Sequence, residues 1–142
     1  MEIDSPRLST IALIRSDLRA MIFPRGHGPV RSFIAAVLKV LLYPRIRAVL
    51  YYRLSHAALR YRLVPLAYWF QQLGLLSAGA EIHPAAVIGP GFCLFHSSGL
   101  VIGDRVVVGR NFRCFHGVTL GDAGINPGQP VVGDGVTVYA GA

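Results

Sequence analysis

Acidic side chains are scarce: seven aspartates and glutamates stand against 14 lysines and arginines in 142 residues, and charge of either sign makes up only 15% of the chain. With 53% hydrophobic residues beside it, that composition excludes a chain kept unfolded for want of apolar surface to bury. Cysteine is scarce too. Cys93 and Cys114 form no CxxC and have no histidine at zinc spacing, so they read as small buried hydrophobes, and nothing demands an oxidising compartment or a metal. Long apolar runs are missing: the longest, Phe33 to Tyr43, is broken by Lys39 and is too short to span a bilayer. The opening MEIDSPRLST is acidic and polar where a secretion signal is basic and then apolar, so a cytoplasmic location is expected.

The basic excess is confined to one half. Residues 1–80 hold 11 basic against 3 acidic side chains, and residues 81–142 hold 3 against 4. A basic, apolar half suits nucleic acid, an anionic membrane surface or phosphate-bearing ligands. Here Arg45, Arg47, Arg53, Arg60 and Arg62 are dispersed among apolar residues and no nucleic-acid-binding motif is present, so nucleic acid is set aside.

The apolar spacing in this half is helical. A first helix is expected over 8–22 with Ser9 or Thr10 as its cap. The run PRGHGP at 24–29 makes a turn, since two prolines and two glycines in six residues cannot continue a helix. A second helix follows from about Val30 to Leu42. Pro44 opens a third over Arg45 to Arg62, with Ile46, Val49, Leu50, Leu54 and Ala57 on one face. A fourth, over 66–76, ends near Gly74. The arginine stems suit cover over apolar surface, at a subunit contact or at a peripheral membrane contact.

From Glu81 the texture changes. Twelve of the 16 glycines lie in the last 62 residues, and valine and isoleucine replace leucine. Aliphatic residues recur at Ile82, Ile88 and Leu94, then at Ile102, Val108, Cys114, Leu120, Val132 and Val138, in steps of six or twelve. Glycine follows at Gly89, Gly103, Gly109, Gly121 and Gly133. Such a hexapeptide period is a solenoid signature, in which each six residues supply a short strand and a turn, and three strands close a triangular coil. The aliphatic residue points inward, and glycine allows the tight turn beside it. The expected fold is α+β: a helical N-terminal domain, 1–80, then a left-handed parallel β-helix, 81–142, of a little over three coils and C-terminally incomplete, since the sequence stops within a rung.

Two irregularities interrupt the period. Leu94 to Ile102 takes eight residues instead of six, and the surplus falls within His96, Ser97, Ser98 and Gly99. A solenoid admits extra residues at a corner, which displays them at the surface, so spacing alone places His96 on an exposed feature. Between Leu120 and Val132, the polar run DAGINPGQP at 122–130 replaces a rung with a projecting loop.

The stretch EIHPAAVIGPGFCLFHSSGLVIGDRVVVGRNFRCFHGVTLGD resembles the serine O-acetyltransferases, in its EIHP opening, its broken corner with a histidine and its VTLG rung. Upstream, DLRA at 17–20 and YPRIRAVLYYRLSH at 43–56 resemble that family's helical domain. The resemblance implies transfer of acetyl from acetyl-CoA to an acceptor hydroxyl, with His96 as general base and no covalent intermediate, bound cofactor or metal. Imidazole suits the task because it titrates near neutrality. Glu81, fifteen residues earlier, matches the family's acidic partner and, at nearly one coil's separation, can orient the imidazole. The resemblance also implies a coenzyme groove, assigned here to Gly121, Asp122, Ala123 and Gly124, and a homotrimer or dimer of trimers with sites between neighbouring solenoids.

Departures from the family concern the acceptor. Phe95 stands where serine-specific members carry an aspartate before the catalytic histidine, and Gly128, Gln129 and Pro130 stand in a shorter loop where they carry Arg-His-Pro. Without ionic partners a zwitterionic amino acid would leave its charges uncompensated. His116 stands where glutamine or another polar residue is expected, a substitution that resembles the related enzymes that acetylate exopolysaccharide sugars. Phe95, His116 and Gln129 are therefore the candidate acceptor contacts, His27, His56 and His83 are read as structural, and L-serine and a saccharide both remain as acceptors. A solenoid kept as a non-catalytic scaffold or a truncated fragment is the reading from another class.

Overall fold

A computed structural model describes residues 8–21, 37–122, 124 and 128–142. Helix α1 spans Thr10–Met21, and the Ala12 amide donates to Ser9 Oγ at 3.3 Å, so Ser9 is the cap. The turn expected at 24–29 and the start of the second helix lie outside the described residues; 37–42 are helical. Helix α2, Pro44–Arg60, opens on its proline. Helix α3, Val64–Ala78, is longer than the spacing suggested. It passes through Gly74, where an added Cβ would lie 3.8 Å from Tyr51 Cβ on α2 and 3.5 Å from the Ala80 carbonyl, and it ends at Gly79 in the left-handed conformation, φ 65°. Those are ordinary contact distances, so Gly74 is an interior residue of α3 packed beside α2 and is no terminator.

Among the described residues nine short strands follow: β1 Ala80–Ile82, β2 Val87–Ile88, β3 Cys93–Leu94, β4 Leu100–Ile102, β5 Val107–Val108, β6 Arg113–Cys114, β7 Thr119–Leu120, β8 Val131–Val132 and β9 Thr137–Val138. They form three parallel sheets, β1-β4-β7, β2-β5-β8 and β3-β6-β9, so each coil contributes one strand to each face of a triangular solenoid. The rung residues lie inside, as Leu94, Ile102, Val108 and Cys114 show by their burial. A second inward position, two residues earlier, is equally buried in Ala86, Phe92, Leu100, Val106, Phe112 and Val118, as the two-residue period of a strand requires.

Register corrects the reading of the loop. Val107 pairs with Val131 and Val108 with Val132, so β8 is the next face after β7, and the corner between them, residues 121–130, is longer than the four residues that separate β5 from β6. No rung is lost, and the nine strands make three coils. Corners admit such an insertion because the ladders run through the faces, leaving the corner backbone free to bulge outward.

The helices are held to the first coil by a buried ion pair. Arg53 Nε donates to Asp17 Oδ2 at 2.7 Å, with both side chains 1% exposed. The remaining Arg53 nitrogens reach the carbonyls of Ile88 at 2.6 Å and Gly89 at 2.7 Å, while Asp17 Oδ1 accepts from the Gly91 and Phe92 amides at 3.0 and 2.9 Å. Burial pushes the Asp17 carboxyl up, against the pull of Arg53 and the two amides. Beside it the Tyr52 hydroxyl donates to the Ala86 carbonyl at 2.9 Å and accepts from the Ile88 amide at 3.1 Å. The buried set of α2 is thus Ile46, Ala48, Val49, Tyr52, Arg53, Ser55 and Ala58; the expected face shared only Ile46 and Val49 with it, and Leu50, Leu54 and Ala57 are half-buried. Arg53 is a core residue because each of its three guanidinium nitrogens finds an acceptor.

Candidate active site

His96 lies on the corner between β3 and β4. The corners of successive coils stack: Phe95 lies on Phe115 with ring centroids 4.6 Å apart, Phe115 on Tyr139 at 5.4 Å, and His96 meets His116 edge to face at 5.8 Å. Below them Gly99, Gly117 and Gly141 approach closely, a Cβ on Gly99 falling 3.6 Å from Gly117 Cα and one on Gly117 falling 3.6 Å from the Gly141 amide. Aligned in this way, the two surplus residues are Ser97 and Ser98, and His96 keeps a counterpart one coil on. The insertion is tied down by its backbone: the Leu100 amide donates to Ser97 O at 3.2 Å, Gly117 to Ser98 O at 2.9 Å, and Gly99 to Gly79 O at 2.9 Å. Ser97 is buried, while His96 and His116 are exposed. An exposed imidazole on a fixed corner faces a cleft of about 430 Å³, whose other wall is Tyr43, Pro44 and Arg45 at the start of α2.

Glu81 is exposed on β1 and pairs with Val101 of β4, the strand that the His96 corner leads into. The Gly99 to Gly79 bond draws the two segments together, yet among the described residues no hydrogen bond or ion pair joins Glu81 to His96. Gln129 lies elsewhere, at the corner between β7 and β8, where its Nε2 donates to Asp104 Oδ1 at 3.5 Å. Gly121, Asp122 and Gly124 share that corner, with the Gly124 amide donating to Asp122 Oδ1 at 2.7 Å; Ala123 lies outside the described residues. Within one chain, then, Phe95, His96 and His116 come together, and Gln129 and the 121–124 turn stand at another corner.

Other histidines and both thiols have different tasks. His56 Nδ1 meets the Pro84 carbonyl at 2.8 Å, and His83 Nδ1 accepts from the Ala85 amide at 3.1 Å; His27 lies outside the described residues. Burial raises the Cys93 thiol and pushes that of Cys114 up to about 11, so neither supplies a thiolate nucleophile near neutrality. Among the described residues no group of three or more histidine, cysteine, aspartate or glutamate side chains is placed to hold a metal, and no helix is long and apolar enough to cross a membrane. Sequence reasoning missed Tyr43 and Arg45, because their approach to His96 is made by the packing of α2 and leaves no trace in spacing.

No protein-family model matches the chain. It is similar to the serine acetyltransferase of Helicobacter pylori (strain ATCC 700392 / 26695), 44% identical over 105 residues, which cover 72% of this chain and 61% of that protein. Among solved structures it is similar to Neisseria gonorrhoeae serine acetyltransferase in complex with serine, with TM-score 0.76, 30% identity and coverage of 93% of this chain and 53% of the other. Brucella abortus serine acetyltransferase in complex with coenzyme A gives TM-score 0.75, 34% identity and coverage of 91% and 50%. The chain spans between half and about three-fifths of the length of these relatives.

Proposed function

Because this chain belongs to the serine O-acetyltransferase family, we propose that it transfers acetyl from acetyl-CoA to an acceptor hydroxyl, L-serine in the family's manner, with His96 as general base. The observation that carries the reading is His96 itself, exposed on a corner held by three backbone hydrogen bonds and facing a cleft walled by α2. His96 removes the hydroxyl proton as the oxygen attacks the thioester carbonyl; the carbon–sulfur bond breaks, and the leaving thiolate takes up the proton. Glu81 is the acidic partner that orients the imidazole. The same reading makes the coil left-handed, divides the chain into a helical domain, 1–80, and a repeat domain, 81–142, and places the protein in the cytoplasm.

In this reading the working unit is a homotrimer or a dimer of trimers. Gln129, Gly121, Asp122 and Gly124 belong to a corner other than that of His96, and a neighbouring solenoid is what joins the two into one site. Self-association also accounts for the exposure of Leu66, Trp69 and Leu76 on α3, which are 40%, 55% and 81% exposed in the single chain.

A second reading, a larger acceptor such as a saccharide, is favoured by Phe95. Its half-buried ring is stacked on Phe115, so the wall beside His96 is apolar where a serine ammonium needs a charge. Thiol release from acetyl-CoA, measured with L-serine and with saccharides, tests both. His96→Ala is expected to slow acceptor-dependent release by about 10²- to 10⁴-fold. Release that His96→Ala leaves unchanged would remove the general base, and no acceptor-dependent release would leave a scaffold. A high rate with serine alone would refute the inference drawn from Phe95.

A further inference from the structure

A basic groove leaves the His96 cleft and follows the outer side of the β3-β6-β9 sheet. Arg45 and Phe95 line the cleft and also the next stretch, about 590 Å³, together with Arg19, Arg113, Phe115 and Tyr139. Arg19 and Asn111 continue into a third stretch of about 580 Å³ with Arg15, Ser9 and Ser16. Among the described residues no carboxylate lines any of the three, and none of Arg15, Arg19, Arg45 and Arg113 is in an ion pair. Arg45 Nε is buried with no hydrogen-bond partner among the described residues. A buried donor left without an acceptor costs stability that a ligand's acceptor recovers.

The aromatic wall adds to the preference for an anion. Phe115 is stacked between Phe95 and Tyr139, so both its faces are covered and only its edge meets the groove. A ring edge carries the positive side of the quadrupole. The guanidiniums of Arg45 and Arg113 also act together on Cys93 between them, each lowering its thiol against the effect of burial.

We propose that this groove binds an acidic oligosaccharide, its carboxylates on Arg19 and Arg113 and one ring hydroxyl at His96; the inference rests on the second reading of the acceptor above. Carboxylates match the fork of a guanidinium, and an elongated groove with a cation in each stretch suits a chain that repeats its charge. A hydroxyl is required because the groove ends on the general base. There the hydroxyl proton passes to His96, the oxygen–acetyl bond forms, the thioester carbon–sulfur bond breaks, and coenzyme A leaves with the proton. Nucleic acid fits less well, since single strands bind by stacking successive bases on free aromatic faces; Phe115, covered on both sides, offers none, which leaves only the outer faces of Phe95 and Tyr139.

Calorimetric titration of the full chain without acetyl-CoA, using tetragalacturonate and its fully methyl-esterified form, tests the groove apart from turnover. The acid is expected to bind about a hundredfold more tightly than the ester, about tenfold for the charge-assisted hydrogen bond at each of the two arginines. Arg19→Gln and Arg113→Gln should each lower the acid's affinity about tenfold and leave the ester unchanged. Equal affinity for acid and ester, or no effect of either substitution, would overturn the proposal. So would a thymidine tetranucleotide binding as tightly as the acid, or coenzyme A displacing it. Selective binding without acetylation of the tetramer would keep the groove and remove the second acceptor reading instead.

Discussion

Two corners of the same solenoid are built to opposite ends. At the corner after β2, Gly89, Gly109 and Gly133 stack so closely that a Cβ on Gly89 would fall 2.7 Å from the Gly109 carbonyl carbon, and Arg53 seals the outside by binding the Ile88 and Gly89 carbonyls. At the corner after β3, the chain carries two extra residues and sets Phe95, His96 and His116 outward, facing a cleft. Because the faces of the coil carry the parallel ladders, either kind of corner is compatible with the repeat. A corner closed by glycine contributes packing, and a corner opened by insertion contributes side chains at fixed positions. The same chain thus separates the corner that holds it together from the corner that presents His96.

If that separation is right, substitutions at the two corners fall into different measurements. The largest effect is expected at the open corner on rate alone: His96→Ala should cost its hundredfold or greater loss of acetyl transfer while denaturant unfolding moves by less than about 0.5 kcal/mol, as for an exposed side chain. A comparable loss of stability would break the comparison. Next comes Arg53→Met at the closed corner, which strands Asp17 in the interior and should cost about 3–5 kcal/mol in urea unfolding.

Gly109→Ala should cost about 1–3 kcal/mol, since its Cβ would fall 2.7 Å from the Asp134 amide and 2.8 Å from Gly133 C. Gly133→Ala, with nothing within 4 Å of the added Cβ, should move the same unfolding midpoint far less; equal costs would show that contact is not the cause.

The smallest effect concerns acid. Burial lowers the pKa of His56 below its ordinary 6.5, so in the window just below 6.5 the unfolded chain holds more protons than the folded one. Stability from this group is complete above that value and is lost as pH falls through the folded pKa. Unfolding midpoints at pH 7 and pH 5 should therefore differ more in the wild type than in His56→Gln; an equal difference would remove His56 as the source.

The solenoid was legible in the sequence because an inward aliphatic every six residues is a property of the local chain, and so was the extra length around His96. The four-helix reading placed α2 and α3 but misjudged what α2 buries, because periodicity ranks residues by hydropathy. By that measure Arg53 belongs outside; only the convergence of Asp17 with the Ile88 and Gly89 carbonyls makes its burial favourable. In sequence the loop at 122–130 reads as a missing rung for a related reason: a step of twelve is the same count whether a face is skipped or a corner enlarged, and the pairing of Val108 with Val132 decides between them.

Sequence by itself determined the repeat, the break in it and the exposure of His96, since these follow from covalent order and the side-chain period. What the break faces was decided by the tertiary structure alone. The wall of Tyr43 and Arg45 and the approach of Arg15, Arg19 and Arg45 to Arg113 exist because helices distant in sequence pack against one face of the coil, and no spacing along the chain encodes that approach.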